Sequence, residues 1–308
     1  MRPVRCLIIL HMFVIFCLMP SAHAEAASIS CSSIFLTEHE QPIEGTVLEG
    51  AKLRTKSQIA SHEFKTGRDL IEYIRLFREE IGLHFLRTLS KLGPYQFWLD
   101  GGSGEGIALR SYLAVGSPNV GSPEVQYVIK QIGEKSLSEK ASVIGITYSD
   151  AAGRITRATP EAARLRKGLN LPANAQGKMR VLVNRVFEEI DPSEIGRVDL
   201  ITDVWGIFSY SHDPMFVLRR YLDLLNENGS VFIHTDSVNV KFEVDGKIRS
   251  LPFAMWIANQ YWHGLRIKSN GDWGFSITKL SESYELPSLS VGQMSNGGTP
   301  LQKWLVIP

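Results

Sequence analysis

A chain of 308 residues is long enough for one large α/β domain with extensions. Apolar residues make up 44% and charged residues 21%, which excludes a disordered chain. The formal charge of +1, from 33 Lys and Arg against 32 Asp and Glu, has no basic excess and argues against a nucleic-acid binder.

The N-terminus is set apart from the rest. Arg2 and Arg5 precede an almost wholly apolar run from Cys6 to Met19, broken by His11, and Ala22-His23-Ala24 then offers an A-x-A cleavage site before Glu25. This is the pattern of a secretory signal peptide over residues 1–24, and it predicts a secreted or periplasmic protein. The alternative is an uncleaved anchor at residues 6–19, although such a run is short for a bilayer span. Cleavage removes two arginines and no acid, taking the net charge from +1 to −1, and no stable membrane insertion is expected afterwards. It also removes Cys6 and Cys17. Cys31 is then alone, so the mature monomer has no internal disulfide and no cysteine cluster for zinc.

Residues 25–62 are polar and weakly periodic and read as an extension; the folded domain is expected over 63–308. From Phe64 to Leu92 the pattern is helical. Leu70, Ile74, Phe77, Ile81, Phe85 and Leu89 make one apolar stripe, which Gly93-Pro94 ends. Phe97–Leu99 reads as a first strand, with a helix after it at Ile107–Ala114. A Gly/Pro/Ser loop at 115–123 and a helix at Glu124–Gly133 follow, and residues 115–135 read as an insertion, either a lid or a surface loop. Further strands are expected at 141–148, Met179–Val183, Val198–Val204 and Ser230–His234. Helices are expected at Pro214–Leu225 and 252–265, and two last strands near Gly274–Leu280 and Lys303–Ile307. Strands alternating with helices indicate a doubly wound, mostly parallel sheet covered on both faces.

Between the first strand and its helix lies Asp100-Gly101-Gly102-Ser103-Gly104-Glu105-Gly106. Glycines there allow positive φ and close approach of backbone to a ligand, and open α/β sheets bind ligands at the carboxyl ends of strands. The spacing is G-x-G-x-G after an acid, unlike the G-x-G-x-x-G dinucleotide fingerprint. Ser103 lacks the G-x-S-x-G context of a nucleophile elbow.

The segment FWLDGGSGEG resembles the first motif of the class I S-adenosylmethionine-dependent methyltransferases. The run VDLITDVWGIFSYSHDPMFVLRRYLDLLNENGSVFIHT resembles the family's fourth-strand to fifth-strand region. The resemblance covers roughly residues 64–308. It implies a class I α/β fold with an antiparallel last strand, for which Lys303–Ile307 is the candidate, and S-adenosylmethionine as cofactor. It also implies a small-molecule or protein acceptor. Asp100, Gly101, Gly102, Gly104 and Gly106 would contact the methionine part; Asp203, Val204 and Trp205 would border adenine or the reacting methyl. Where the family commonly has a ribose-binding acid, this chain has Thr147, with Asp150 three residues on. Where it often has an Asp near adenine, this chain has Asn184 and Arg185.

Methyl transfer needs positioning, and a base only when the acceptor must lose a proton. His212 is the weak candidate base, and Asp213 before Pro214 reads as a helix cap. His234 ends the fifth strand and is a second candidate facing the cleft; Trp205 and Tyr210 are candidate pocket walls or packing. No Asn/Asp-Pro-Pro-Tyr/Phe clamp and no Pro-Cys pair is present, which points away from nucleic-acid bases. The basic run Arg154–Lys167 reads as a solvated face, and Trp256, Tyr261 and Trp262 as packing. Two functions remain open: an active methyltransferase, and a non-catalytic binding protein on the same fold, favoured by export away from the cytoplasm, where S-adenosylmethionine is made, and by the missing ribose acid.

Overall fold

The computed structural model describes residues 68–104, 106–114, 121–147, 177–183, 185–295 and 302–306. The expected signal peptide, the expected 25–62 extension, Cys31, Glu105, residues 115–120, Asp150, the basic run and Asn184 lie outside them.

The predicted lead-in helix is two helices, α1 (Leu70–Phe77) and α2 (Glu79–Lys91), separated by Arg78 at φ 54°. The apolar stripe continues across the break, since Leu70, Ile74, Phe77, Ile81, Phe85 and Leu89 are all buried. Asp69 caps α1 by accepting from the Glu72 N–H at 2.8 Å. Gly82 lies against the Ile74 carbonyl, where a Cβ would stand 2.6 Å away, so only glycine allows this close crossing.

After α2 come β1 (Phe97–Gly101), α3 (Ile107–Leu113), α4 (Pro123–Glu134), β2 (Ser142–Thr147) and β3 (Met179–Val183). Then follow α5 (Pro192–Ile195), β4 (Val198–Val204), α6 (Ile207–Tyr210), α7 (Pro214–Leu224) and β5 (Leu225–His234). The last part holds β6 (Val238–Val244), β7 (Lys247–Pro252), α8 (Phe253–Ala258), β8 (Leu265–Ser269), β9 (Gly274–Lys279), β10 (Ser290–Ser295) and β11 (Gln302–Val306).

The main sheet has seven strands in the order β3-β2-β1-β4-β5-β9-β8. The first five are parallel, and β9 and β8 are antiparallel to their neighbours. The expected antiparallel strand is therefore β9, with its register Ser230↔Thr278 to His234↔Gly274. Lys303–Ile307 does not supply it. That segment contributes β11 to a second sheet of four strands, β10-β11-β6-β7, where it runs parallel to β6. Glu227-Asn228-Gly229 forms an irregularity within β5: Asn228 has φ 64° and the register to β4 shifts between Val198 and Leu200. The helix expected over 252–265 stops at Ala258, and β8 begins at Leu265.

Strand alternation sorts the core into two layers. Trp98, Val143, Leu200, Val204 and Phe232 face α1, α2, α3 and α4. Leu99, Ile144, Ile201, Val231 and Ile233 face α7, α8 and the second sheet. Three helix ends are closed by lysines from other elements. Lys135 donates to the Ser90 and Leu92 carbonyls at the end of α2, and Lys140 to Tyr112 and Leu113 at the end of α3. Lys279, fully buried, donates to Leu222 and Leu225 at the end of α7 and to Glu282. Each satisfies carbonyls that have no intrahelical partner and lie at the negative end of the helix.

Candidate functional site at the carboxyl ends of the strands

The glycine loop leaves β1 as the sequence predicts, with Gly102 at φ 90°, Gly104 at 54° and Gly106 at 68°. These values require glycine at modest cost and no other residue type easily. The loop is folded onto its neighbours. The N–H groups of Gly102 and Ser103 both donate to the Ile146 carbonyl at 3.0 Å, and Gly106 donates to Ser103 at 2.8 Å. Gly206, from the loop after β4, presses on Gly101 and Gly102: a Cβ on Gly206 would stand 1.8 Å from the Gly101 carbonyl oxygen. Gly101 itself faces Tyr221, whose hydroxyl oxygen would be 2.0 Å from an added Cβ.

Two buried carboxylates lie beneath these loops. Asp100 accepts from the Tyr73 hydroxyl at 2.9 Å and from the Thr202 hydroxyl at 2.8 Å, and Thr202 in turn accepts from the Trp98 indole N–H. Asp203 accepts from the N–H groups of Gly206 and Phe208, at 2.9 and 2.8 Å, and from the Tyr221 hydroxyl at 2.7 Å. Burial pushes Asp100 up to about 7 and Asp203 to about 6, and in each case the hydrogen bonds to the carboxylate oppose the rise. Both were expected to meet ligand. In the structure both are fully buried, and their oxygens brace the loops by bonding the chain's own donors.

The other expected residues divide. Val204 is buried in the α1-side core, so its side chain walls no pocket. Arg185 holds Glu194 with two bonds, at 3.0 and 2.8 Å. Thr147 ends β2 beside the loop and is buried. His212 is half-buried on the loop before α7, where Ser211 bonds Glu188 and Asp213 caps α7 through the Phe216 N–H at 2.9 Å. The capping role read for Asp213 therefore holds.

Trp205 has φ 46° and is half-buried, with its ring edge-on to His234 at 4.7 Å. The Arg68 guanidinium lies 4.9 Å over the Trp205 ring and donates to the Val204 carbonyl at 3.2 Å. His234 has only 2% of its surface exposed, and neither ring nitrogen has a hydrogen-bond partner. Burial first, then Arg68 and Arg78, push its pKa down to about 4. The Leu76 carbonyl pulls the other way without forming a well-shaped hydrogen bond. On the far side of His234 stands Trp273, perpendicular at 6.3 Å and itself under the Arg78 guanidinium at 5.7 Å.

Sequence reasoning missed Tyr73, Thr202, Tyr221, Arg68, Arg78 and Trp273. Tyr73 lies on the same buried face as Leu70, Ile74 and Phe77 and is not set apart from that packing by spacing, and the others join the site only through tertiary packing.

No family model matches the chain, and no curated protein matches it. Among solved structures it is similar to an rRNA methylase from Streptococcus thermophilus, with 12% identity, TM-score 0.37, and 66% of this chain and 98% of that one covered. A putative caffeoyl-CoA O-methyltransferase from Staphylococcus aureus gives 12% identity, TM-score 0.33, and coverage of 65% and 83%. A cyclopropane synthase from Mycobacterium tuberculosis gives 21%, 0.30, and 53% and 52%. The fold assignment stands on this chain's own strand order: five parallel strands with the glycine loop after β1, closed by an antiparallel β9 inserted between β5 and β8. This is the class I methyltransferase fold.

Proposed function

We propose that the chain is an S-adenosylmethionine-dependent methyltransferase, acting on a small-molecule or protein acceptor after export through its N-terminal signal. The observation that carries this reading is the glycine loop after β1, with Gly102, Gly104 and Gly106 at positive φ, in a sheet of this strand order. The residues fit an adenosyl group at the β1–β2 edge. Gly102 and Gly104 leave half-exposed backbone there, and Thr147 adjoins with a hydroxyl that can donate and accept. When bound, S-adenosylmethionine supplies an electrophilic methyl on a sulfonium. The chain's part is to hold the loop rigid through Asp100 and Asp203 and to orient the acceptor at Trp205 and His234.

The second reading, a binding protein without turnover, is favoured by Gly206. Its seat on the Gly101 carbonyl narrows the methionine end of the loop. Calorimetric titration of the mature chain with S-adenosylhomocysteine and S-adenosylmethionine tests both. Binding of each, with S-adenosylhomocysteine formed when acceptors are supplied, is the expected result. Binding without turnover on any acceptor supports the second reading, and absence of binding removes both. N-terminal sequencing of exported protein should begin at Glu25.

A further inference from the structure

We propose that His234, walled by Trp205 and Trp273 under Arg68 and Arg78, is the docking point for a flat hydroxylated anion, whose hydroxyl pairs with the imidazole and whose carboxylate pairs with the guanidinium groups. The inference rests on the proposed function only in naming this ligand the acceptor; the chemistry of these side chains stands without it.

His234 ends β5 opposite Val204 on one side and Gly274 on the other, so its side chain projects at the same edge as the glycine loop. A buried imidazole with no well-shaped hydrogen bond, and only the Leu76 carbonyl beside it, carries a desolvation cost that native interiors seldom retain. A neutral ring offers one donor and one acceptor; with the Leu76 carbonyl beside one nitrogen, a ligand hydroxyl can pair with the other. The walls are indoles, suited to a planar apolar body. Arg78 is exposed at the rim, and Arg68 keeps its Nε buried and unpartnered. Two cations over two indoles select a negative charge on the ligand, for which a planar carboxylate is the natural partner.

Access runs past Trp273, 43% exposed at the tip of the β8–β9 hairpin. Its backbone carbonyl is fixed by the Thr235 N–H at 2.8 Å, and Asn270 ties the hairpin to the Phe77 carbonyl at 2.6 Å. The indole can therefore swing aside by side-chain rotation while the hairpin stays latched.

The test uses the mature chain and its tryptophan fluorescence, titrated with 4-hydroxybenzoate, benzoate and phenol, each with and without saturating S-adenosylhomocysteine. 4-Hydroxybenzoate should bind at least 10-fold more tightly than either fragment. His234→Phe should bring it to the level of benzoate, and Arg78→Gln, a surface change that keeps the fold, should bring it to the level of phenol. Equal binding of all three probes, no binding, or undiminished discrimination in both variants overturns the proposal. Binding of S-adenosylhomocysteine alongside any of those results leaves the methyltransferase reading standing, while probe discrimination without S-adenosylhomocysteine binding sinks that reading and keeps this one.

Discussion

Gly206 and Asp100 show how single residues set the geometry of the loops. The Gly206 α-carbon meets backbone, which cannot step aside as a side chain can. Gly206→Ala must move one of the two loops, and it should destabilise the protein by about 3 kcal/mol, near the upper range for overpacked sites. A urea midpoint equal to that of the parent would show that the loops separate freely. Asp100 titrates near 7 in the fold against 3.8 normally. Between those values the folded state holds a proton that the unfolded chain releases, so this group's contribution to stability falls as pH rises through the window. His234 acts oppositely, because its folded pKa is depressed and stability is lost as pH falls below about 6.5. Comparing Asp100→Asn with the parent isolates the carboxylate. The variant should gain, relative to the parent, on the order of 3 kcal/mol between pH 4 and pH 8. Denaturant midpoints across that range decide it, and a constant difference would mean that Asp100 stays ionised in the fold.

At the scale of elements, the β8–β9 hairpin and the α1–α2 break form one unit. Asn270 donates to Phe77 at the end of α1 and accepts from the Gly274 N–H at 3.0 Å, while a Cβ on Gly274 would collide with Asn270. Asn270→Ala should lose both bonds and cost about 1–2 kcal/mol, with the slope of urea unfolding unchanged. Amide exchange should rise first in residues 269–274. Uniform protection across the hairpin would show that the latch is redundant. The break at Arg78 was not legible in the sequence. No glycine or proline marks it, and the apolar spacing runs through it without a gap. The break brings Gly82 against the Ile74 carbonyl, a close approach that only glycine permits.

The seven-stranded sheet was legible through its local units, because each parallel strand is a short apolar run beside its own helix. Phe97 and Val198 open β1 and β4 as read, while Ser230 lies inside β5, which begins five residues earlier at Leu225. The second sheet was not. Val238–Val244 alternates as V-N-V-K-F-E-V, a strand pattern, but its parallel partner lies at 302–306, and no local signal joins the two. At the site, the glycines and Trp205 were read from their setting in sequence. Asp100 and Asp203 were read as ligand contacts because their types allow it, whereas their buried donors come from α1, β4 and α7 and from the backbone at Gly206 and Phe208.

The lysines that close α2, α3 and α7 give the molecule a chemical clock. An ammonium enclosed by helix-end carbonyls is shielded from amine-directed reagents, while the exposed lysines around it react at once. Under sparse acetylation read by peptide mass spectrometry, Lys140 and Lys279 should label only at the rate of cooperative opening. Lys130, on the outer face of α4, should label at the rate of free amine. Adding a ligand that binds only the folded chain should slow the first two in proportion to its occupancy and leave Lys130 unchanged. Labelling of Lys279 as fast as Lys130 would mean that the end of α7 frays in the native state. The same two lysines would then report binding of any candidate acceptor without knowledge of the reaction it undergoes.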